Sequence, residues 1–187
     1  MKLFLVTKNK HKVTEIRSVM KEFGIEIEQI SEEKVEGKDM SLKEVAEYNA
    51  KLFYEKYKKP VAVDDTGVFF KAYNNFPGSQ PKRIFNEIGY KGLFKKLEGK
   101  NKEAYFKTVV GYCNGEVKIF EGVLECIADN KVHDIDVDVL PYERILLVAD
   151  KPLSRYSRED KNKISHRAKA FRKLAEYLRN KRSNNTK

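Results

Sequence analysis

Val61-Ala62-Val63-Asp64-Asp65-Thr66-Gly67 reads as a short buried strand that runs into two adjacent carboxylates, a hydroxyl and a glycine. Side chains alternate along a strand, so Asp64 and Asp65 are expected on opposite faces. Only one of them can then be the main ligand of a given site, and the other must be paired or solvated. In open α/β sheets ligands collect beyond the carboxyl ends of strands, where these residues are expected. Two acids placed there suit a hard divalent cation, since Mg2+ takes one or two carboxylates together with phosphate oxygens. Asp-Asp-Thr-Gly is equally the composition of a plain turn after a strand. The flanking chain has to decide between the two.

Upstream, Lys2–Val6 is mostly apolar, as expected of a strand covered on both faces. Thr7-Lys8-Asn9-Lys10-His11-Lys12 makes the turn into a helix. Asn9 can cap it, and Val13, Ile16, Met20 and Phe23 share one face. Helix-start amides with Lys8, Lys10 and Lys12 form an anion site without a glycine-rich loop; the same lysines also suit an ordinary solvated helix start. Gly24 ends that helix, and Ile25, Ile27 and Ile30 indicate a second strand. A polar loop containing Glu36-Gly37 spans residues 31–40. Ser41-Leu42-Lys43-Glu44 is a capping box, and its helix turns Leu42, Val45, Ala46, Asn49, Leu52 and Phe53 inward. Asn49, an amide on an apolar stripe, is either a satisfied core group or one that orients a site residue. Lys59-Pro60 closes this helix.

Downstream, Val68-Phe69-Phe70 stays apolar and residues 74–78 form a turn cluster. Residues 82–88 and 90–97 read as helices separated by Gly89. Residues 104–113 and Val117–Ala128 read as strands joined by Asn114-Gly115, a hairpin signal because both positions tolerate positive φ. An acidic stretch at 134–138, Leu140-Pro141-Tyr142-Glu143 and an apolar run at 145–148 follow. Ser157 can cap the last segment, whose final helix packs Phe171, Leu174, Ala175 and Leu178 inward. Residues 179–187 are basic and expected to fray. With no repeat and no linker, residues 1–187 are expected to form a single domain. Alternating strands and helices followed by a hairpin predict an α/β (α+β) fold, a mixed sheet flanked by helices.

At 187 residues the chain can bury a substantial core. Its 41% hydrophobic and 11% aromatic content fits a globular protein and excludes a disordered one. The formal net charge of +10 points to polyanionic partners: a nucleoside triphosphate, a nucleic acid or an anionic membrane surface. No apolar run approaches the roughly 20 residues that span a bilayer. The N-terminal apolar stretch is too short, and too soon followed by lysines, for a signal peptide. Cys113 and Cys126 have neither metal-ligand spacing nor a disulfide framework, so both are expected reduced, in a cytoplasmic protein.

Four blocks together resemble the inosine triphosphate pyrophosphatase family. They are Thr7-x-Asn9-x-x-Lys12-x-x-Glu15, Asp64-Asp65-Thr66-Gly67-Val68-Phe69, Phe76-Pro77-Gly78, and Lys161-Asn162-x-Ile164-Ser165-His166-Arg167. They occur in the family's order across nearly the whole chain. The resemblance implies an elongated α/β fold, a homodimer, and Mg2+-dependent release of pyrophosphate from deaminated purine nucleotides such as ITP, dITP and XTP. By position, Thr7, Lys8, Asn9 and Lys12 would bind the triphosphate. Asp65 would take the acidic catalytic and metal role with Glu36 as second metal carboxylate. Thr66 would contact substrate, and Lys161, His166 and Arg167 would hold phosphate and base.

The chain departs from the family pattern on the base side. Where the family carries Phe-Gly-Tyr-Asp-Pro, this chain has Leu140-Pro141-Tyr142-Glu143-Arg144, keeping in Tyr142 an aromatic able to stack on a purine or to serve as core. Ser79-Gln80-Pro81-Lys82-Arg83 replaces a Tyr-Ser-Ala-Arg pattern, and Ala168 replaces a glycine. Three other readings compete: a Maf-type pyrophosphatase of modified pyrimidine nucleotides, a non-catalytic nucleotide binder, and a basic nucleic-acid-binding protein. Nucleic acid is the least expected partner, because Asp64, Asp65 and Glu36 repel phosphate without a metal and no nucleic-acid module is recognised.

Overall fold

The computed structural model describes residues 1–37 and 40–184. Its first half alternates strand and helix: β1 (Lys2–Val6), α1 (Lys10–Lys21), β2 (Glu26–Ile30), α2 (Leu42–Tyr57) and β3 (Val61–Phe70). A two-residue strand β4 (Pro77–Gly78) and helix α3 (Pro81–Leu97) lead to the long hairpin β5 (Glu103–Cys113) and β6 (Val117–Ala128). Short strands β7 (Leu146–Val148) and β8 (Lys151–Pro152) precede α4 (Arg158–Ile164) and α5 (His166–Asn184). All strands join one mixed sheet in the order β2-β1-β3-β5-β6-β7-β8, with β4 beside β3. The predicted mixed sheet with covering helices is what forms.

The sheet follows from which strands are long. β1 lies parallel to β2 and to the start of β3, pairing Phe4 with Val61 and Leu5 with Ala62. β3 pairs antiparallel with β5 along its whole length, from Val61 opposite Cys113 to Phe70 opposite Ala104. Of the two readings open for Asp64–Gly67, the plain turn does not occur. The strand runs on because β5 offers it a partner at every residue, whereas β1 stops. Asp64 and Asp65 lie past the carboxyl end of β1, inside a strand rather than after one.

Helices cover both faces. α1 and α5 pack Ile16, Met20, Phe171 and Leu174 on one, against Leu3, Leu5, Ala62 and Val110. α2 packs Ala46, Ala50 and Phe53 on the other, against Val61, Val63 and Val109. A separate core lies at the far end of the hairpin, where Leu93 and Leu97 of α3 meet Phe70, Phe106, Leu124 and Leu146. Gly89, at φ 57°, breaks α3 where the sequence predicts two helices. The hairpin loop spans residues 114–116, since Cys113 pairs with Val117. The basic segment expected as a frayed tail from residue 179 remains helical to Asn184; residues 185–187 lie outside the described residues. Among the described residues no helix is long and apolar enough to cross a membrane.

Gly122 sets how closely α5 approaches the sheet. A Cβ there would stand 2.0 Å from the His166 carbonyl oxygen, at the first residue of α5. Gly122→Ala must push the start of that helix outward, so we expect a loss of about 1–3 kcal/mol in urea unfolding. An unchanged midpoint would show that α5 is not seated by this contact.

Candidate active site

The period of two along β3 builds the site. Asp64, on the same face as Ala62, points toward α1 and α5, and its side chain is fully buried. Its Oδ2 accepts from Lys12 Nζ at 2.9 Å and from Arg167 Nε at 3.2 Å. Its Oδ1 has no hydrogen-bond partner among the described residues. Arg167 is also paired with Glu15, and its Nη2 lies 3.4 Å from Thr66 Oγ1. Ser165 Oγ donates to Glu15 Oε1 at 2.6 Å. One charge cluster thus fastens α1 and the start of α5 to β3.

Asp65 lies on the opposite face, beside the loop between β2 and α2. Lys34 Nζ donates to Asp65 Oδ1 at 2.5 Å and stands 3.4 Å from Glu36 Oε1. The Lys34 side chain is only 10% exposed, whereas that of Glu36 is 52% exposed. Asn49 fixes this loop from α2: its Oδ1 accepts from the Val35 amide at 2.8 Å and its Nδ2 donates to the Val35 carbonyl at 2.8 Å. A third bond, from Nδ2 to the Val45 carbonyl, completes the fully buried amide. Of the two readings open for Asn49, its bonds favour the positioning one, because Val35 separates Lys34 from Glu36.

These environments drive the two carboxylates apart. Burial opposes ionisation of Asp64, yet Lys12, Arg167 and Lys34 hold its carboxyl well below the usual carboxylate range. At Asp65 burial outweighs Lys34, and the carboxyl is pushed up. Burial also depresses the Lys12 ammonium, against the pull of Asp64. For Lys34, burial is overcome by Asp65 and Asp64, and the ammonium is held more firmly than in water. Burial, reinforced by Arg167, takes the His166 imidazole well below its ordinary value, leaving it neutral.

A cleft of about 940 Å3 opens over Asp65 and Thr66. Thr7, Lys8, Asn9 and Lys12 form one wall, residues of the 32–36 loop another, and Gln80, Lys82, Arg83, Asn86 and Glu87 of the α3 start a third. Asn9 caps α1, accepting from the amides of His11 at 3.0 Å and Lys12 at 3.3 Å, while Thr7 Oγ1 accepts from the Asn9 amide. The expected residues Thr7, Lys8, Asn9, Lys12, Glu36, Asp65 and Thr66 therefore share one cavity.

Four expected site residues do not line it. Tyr142 is buried in the far core, its hydroxyl donating to the Pro81 carbonyl at 3.0 Å, so it braces α3 and presents no face for a base. Lys161 donates to Glu143 at 2.7 Å and ties α4 to the 3-10 turn Pro141–Arg144. His166 stacks on Phe106, with ring centroids 4.9 Å apart. Arg167 lies beneath the cleft floor and reaches it through Thr66. Conversely, sequence reasoning passed over Lys34 and the structural part of Glu15. Glu15 carries a usable signal, since it lies one helical turn from Lys12. Lys34, a lysine among glutamates in a polar loop, carries none.

A family model described as the Ham1 family matches residues 3–177. A protein named dITP/XTP pyrophosphatase from Saccharolobus solfataricus is 36% identical over 184 residues, covering 95% of this chain and 93% of that protein. One of the same name from Thermococcus kodakarensis is 35% identical, covering 96% and 98%. Among solved structures, a HAM1 protein from Coxiella burnetii superposes with a TM-score of 0.83 at 20% identity, covering 96% of this chain and 99% of that one. The Staphylococcus aureus Ham1 protein gives 0.80 at 22% identity, covering 97% and 100%. Both structures share the fold.

The buried histidine makes stability pH-dependent. An unfolded histidine takes up a proton near pH 6.5, whereas folded His166 does so only at much lower pH. The unfolded chain then binds the extra proton, so stability should fall as pH drops below about 6.5, by up to about 1.4 kcal/mol per pH unit. Asp65, with its raised carboxyl, contributes stability as pH falls toward about 4 and opposes part of that loss in both the parent and a histidine variant. Asp64, with its lowered carboxyl, adds a second loss below about pH 4. Urea unfolding at pH 7 and pH 5 should show the first loss in the parent protein and lack it in His166→Phe. Equal losses in both proteins would place the titrating group elsewhere.

Proposed function

This chain belongs to the Ham1 family, and from that premise we propose that it hydrolyses deaminated purine nucleoside triphosphates (ITP, dITP and XTP) to the monophosphate and pyrophosphate. One observation carries the reading. Lysines from the start of α1 and an acid and a hydroxyl from the middle of β3 meet across a single open cleft. The related proteins named dITP/XTP pyrophosphatase support the substrate class.

Lys8 and Lys12, at the positive end of α1, hold the triphosphate through charge, the first amides of the helix being capped by Asn9. Thr66 offers its hydroxyl to a phosphate oxygen from the cleft floor. Asp65 is the catalytic acid-base residue: Oδ1 is taken by Lys34, so Oδ2 is left to orient the attacking water and accept its proton. Burial pushes this carboxyl up, which makes it a stronger base than a solvated carboxylate. Positioning and electrostatics of this kind supply most of the acceleration in phosphoryl chemistry.

Asp65 and Glu36 fit Mg2+ in donor chemistry, being hard oxygens that already face one cation, the Lys34 ammonium. Among the described residues no group of three or more His, Cys, Asp or Glu converges on a metal site, so Asp65 and Glu36 would hold the ion together with substrate phosphate oxygens and water. When bound, Mg2+ would neutralise charge on the leaving pyrophosphate and lower the pKa of water. On the base side, the amides of Gln80 and Asn86 supply donors for the 6-oxo edge of inosine or xanthine. We further place the protein in the cytoplasm as a homodimer. Exposed Ile127, Ile135, Val137 and Leu140 supply apolar surface for a second copy.

The test is pyrophosphate release from a panel of purine and modified pyrimidine triphosphates, with and without Mg2+. Preference for dITP and XTP over ATP is expected. Pyrimidine preference would favour the Maf-type reading, and salt-sensitive nucleic-acid binding without turnover would favour the non-enzymatic one. Asp65→Asn should lower turnover on the order of 10²–10³-fold with a melting temperature within about 4 °C of the parent. Near-normal release would remove Asp65 from the chemistry.

A further inference from the structure

Lys34 stands where a metal-binding reading of the cleft has no use for a lysine. Its ammonium lies 2.5 Å from Asp65 and 3.4 Å from Glu36, the two carboxylates that face into one place from the cleft floor and the loop. The side chain is nearly buried, so its position is not that of a solvated surface lysine. The loop that carries it is clamped at Val35 by both ends of the fully buried Asn49 amide, which fixes the backbone on either side. The neighbouring charges do not invite a second cation either. Asp64 is already shared by Lys12 and Arg167.

We propose that Lys34 is a resident cation of the active centre, holding Asp65 and Glu36 together and opposing divalent-ion binding until a triphosphate is present. The inference rests on the pyrophosphatase reading for its context, but the charge argument concerns this chain alone. A divalent ion placed between Asp65 and Glu36 in the empty cleft would meet a fixed positive charge in contact range. A triphosphate reverses that balance, since its negative oxygens can take the Lys34 ammonium and complete an oxygen shell at the same time. Metal and nucleotide are then bound as a unit, with the lysine as the reason.

The experiment measures Mn2+ binding to the substrate-free protein by electron paramagnetic resonance at constant pH, for the parent chain, Lys34→Gln and Lys34→Arg. Removing a unit charge at contact distance should tighten Mn2+ binding by at least about tenfold in Lys34→Gln, while Lys34→Arg stays at the parent value. The gain in Lys34→Gln should disappear when Glu36→Gln is added. Equal Mn2+ affinity in the parent and Lys34→Gln overturns the proposal, as does tightening in Lys34→Arg. Melting temperatures identify any variant that fails to fold, and the charge-retaining arginine variant then still reports on the ion seat. Because Mn2+ binding is read without substrate, a protein that hydrolyses triphosphates yet shows no effect at Lys34 sinks this inference alone. One that hydrolyses nothing sinks the pyrophosphatase reading and leaves the binding result to stand.

Discussion

The arrangement depends on one buried carboxylate that two cations share. Asp64 has no exposure to water in its side chain, and it persists as an anion because Lys12 and Arg167 reach it from two different helices. Removing one partner of such a buried cluster costs about 3–5 kcal/mol, because the remaining charges stay desolvated and uncompensated. The contact spans residues far apart in sequence, so it forms only when α1, β3 and α5 have all docked. Glu15 supplies the second negative charge of the cluster, so that two carboxylates face Lys12 and Arg167, and Gly122 lets α5 come close enough for the arginine to reach. What anchors the fold is also what orients Lys12 along the wall of the cleft.

Asp65, one residue on, serves the opposite purpose because a strand turns alternate side chains to opposite faces. Its neighbour is neutralised in the interior, whereas Asp65 opens onto a cavity with Lys34 as its close cation among the described residues. Pairs of acids whose surroundings separate their proton affinities recur where a structural charge and a reactive one must coexist. Cys113 and Cys126, both buried in the hairpin, take no part; burial pushes the Cys126 thiol up to about 12.

Much of this was legible in the residues because it is local. The Asn9 cap, the Ser41–Glu44 capping box, the break at Gly89 and the opposed faces of Asp64 and Asp65 all follow from neighbours a few positions apart. Non-local facts were not legible. β3 continues past Gly67 because β5 pairs with it, and no residue within the 61–70 segment announces that. Of the two readings open for Tyr142, stacking or core, the fold decides for core by placing α3 over it. Nothing near Lys161 in sequence places Glu143 2.7 Å from its ammonium. Lys34 sits in a loop without periodicity, and its importance arises only once Asn49, on another element, fixes the backbone beside it. The charge pattern of the cleft was thus foreseeable in kind, but its partnering had to come from the tertiary structure.

The most direct test of this division between an anchoring and a reactive carboxylate is equilibrium unfolding of Asp64→Asn beside Asp65→Asn at neutral pH. Asp64→Asn should lose roughly 3–5 kcal/mol, because Lys12 loses its buried partner and Glu15 alone is left to face Arg167. Asp65→Asn, which leaves Lys34 its second carboxylate partner Glu36 at 3.4 Å, should lose less, about 1 kcal/mol. Equal losses for the two variants, or a larger loss at Asp65, would contradict that division.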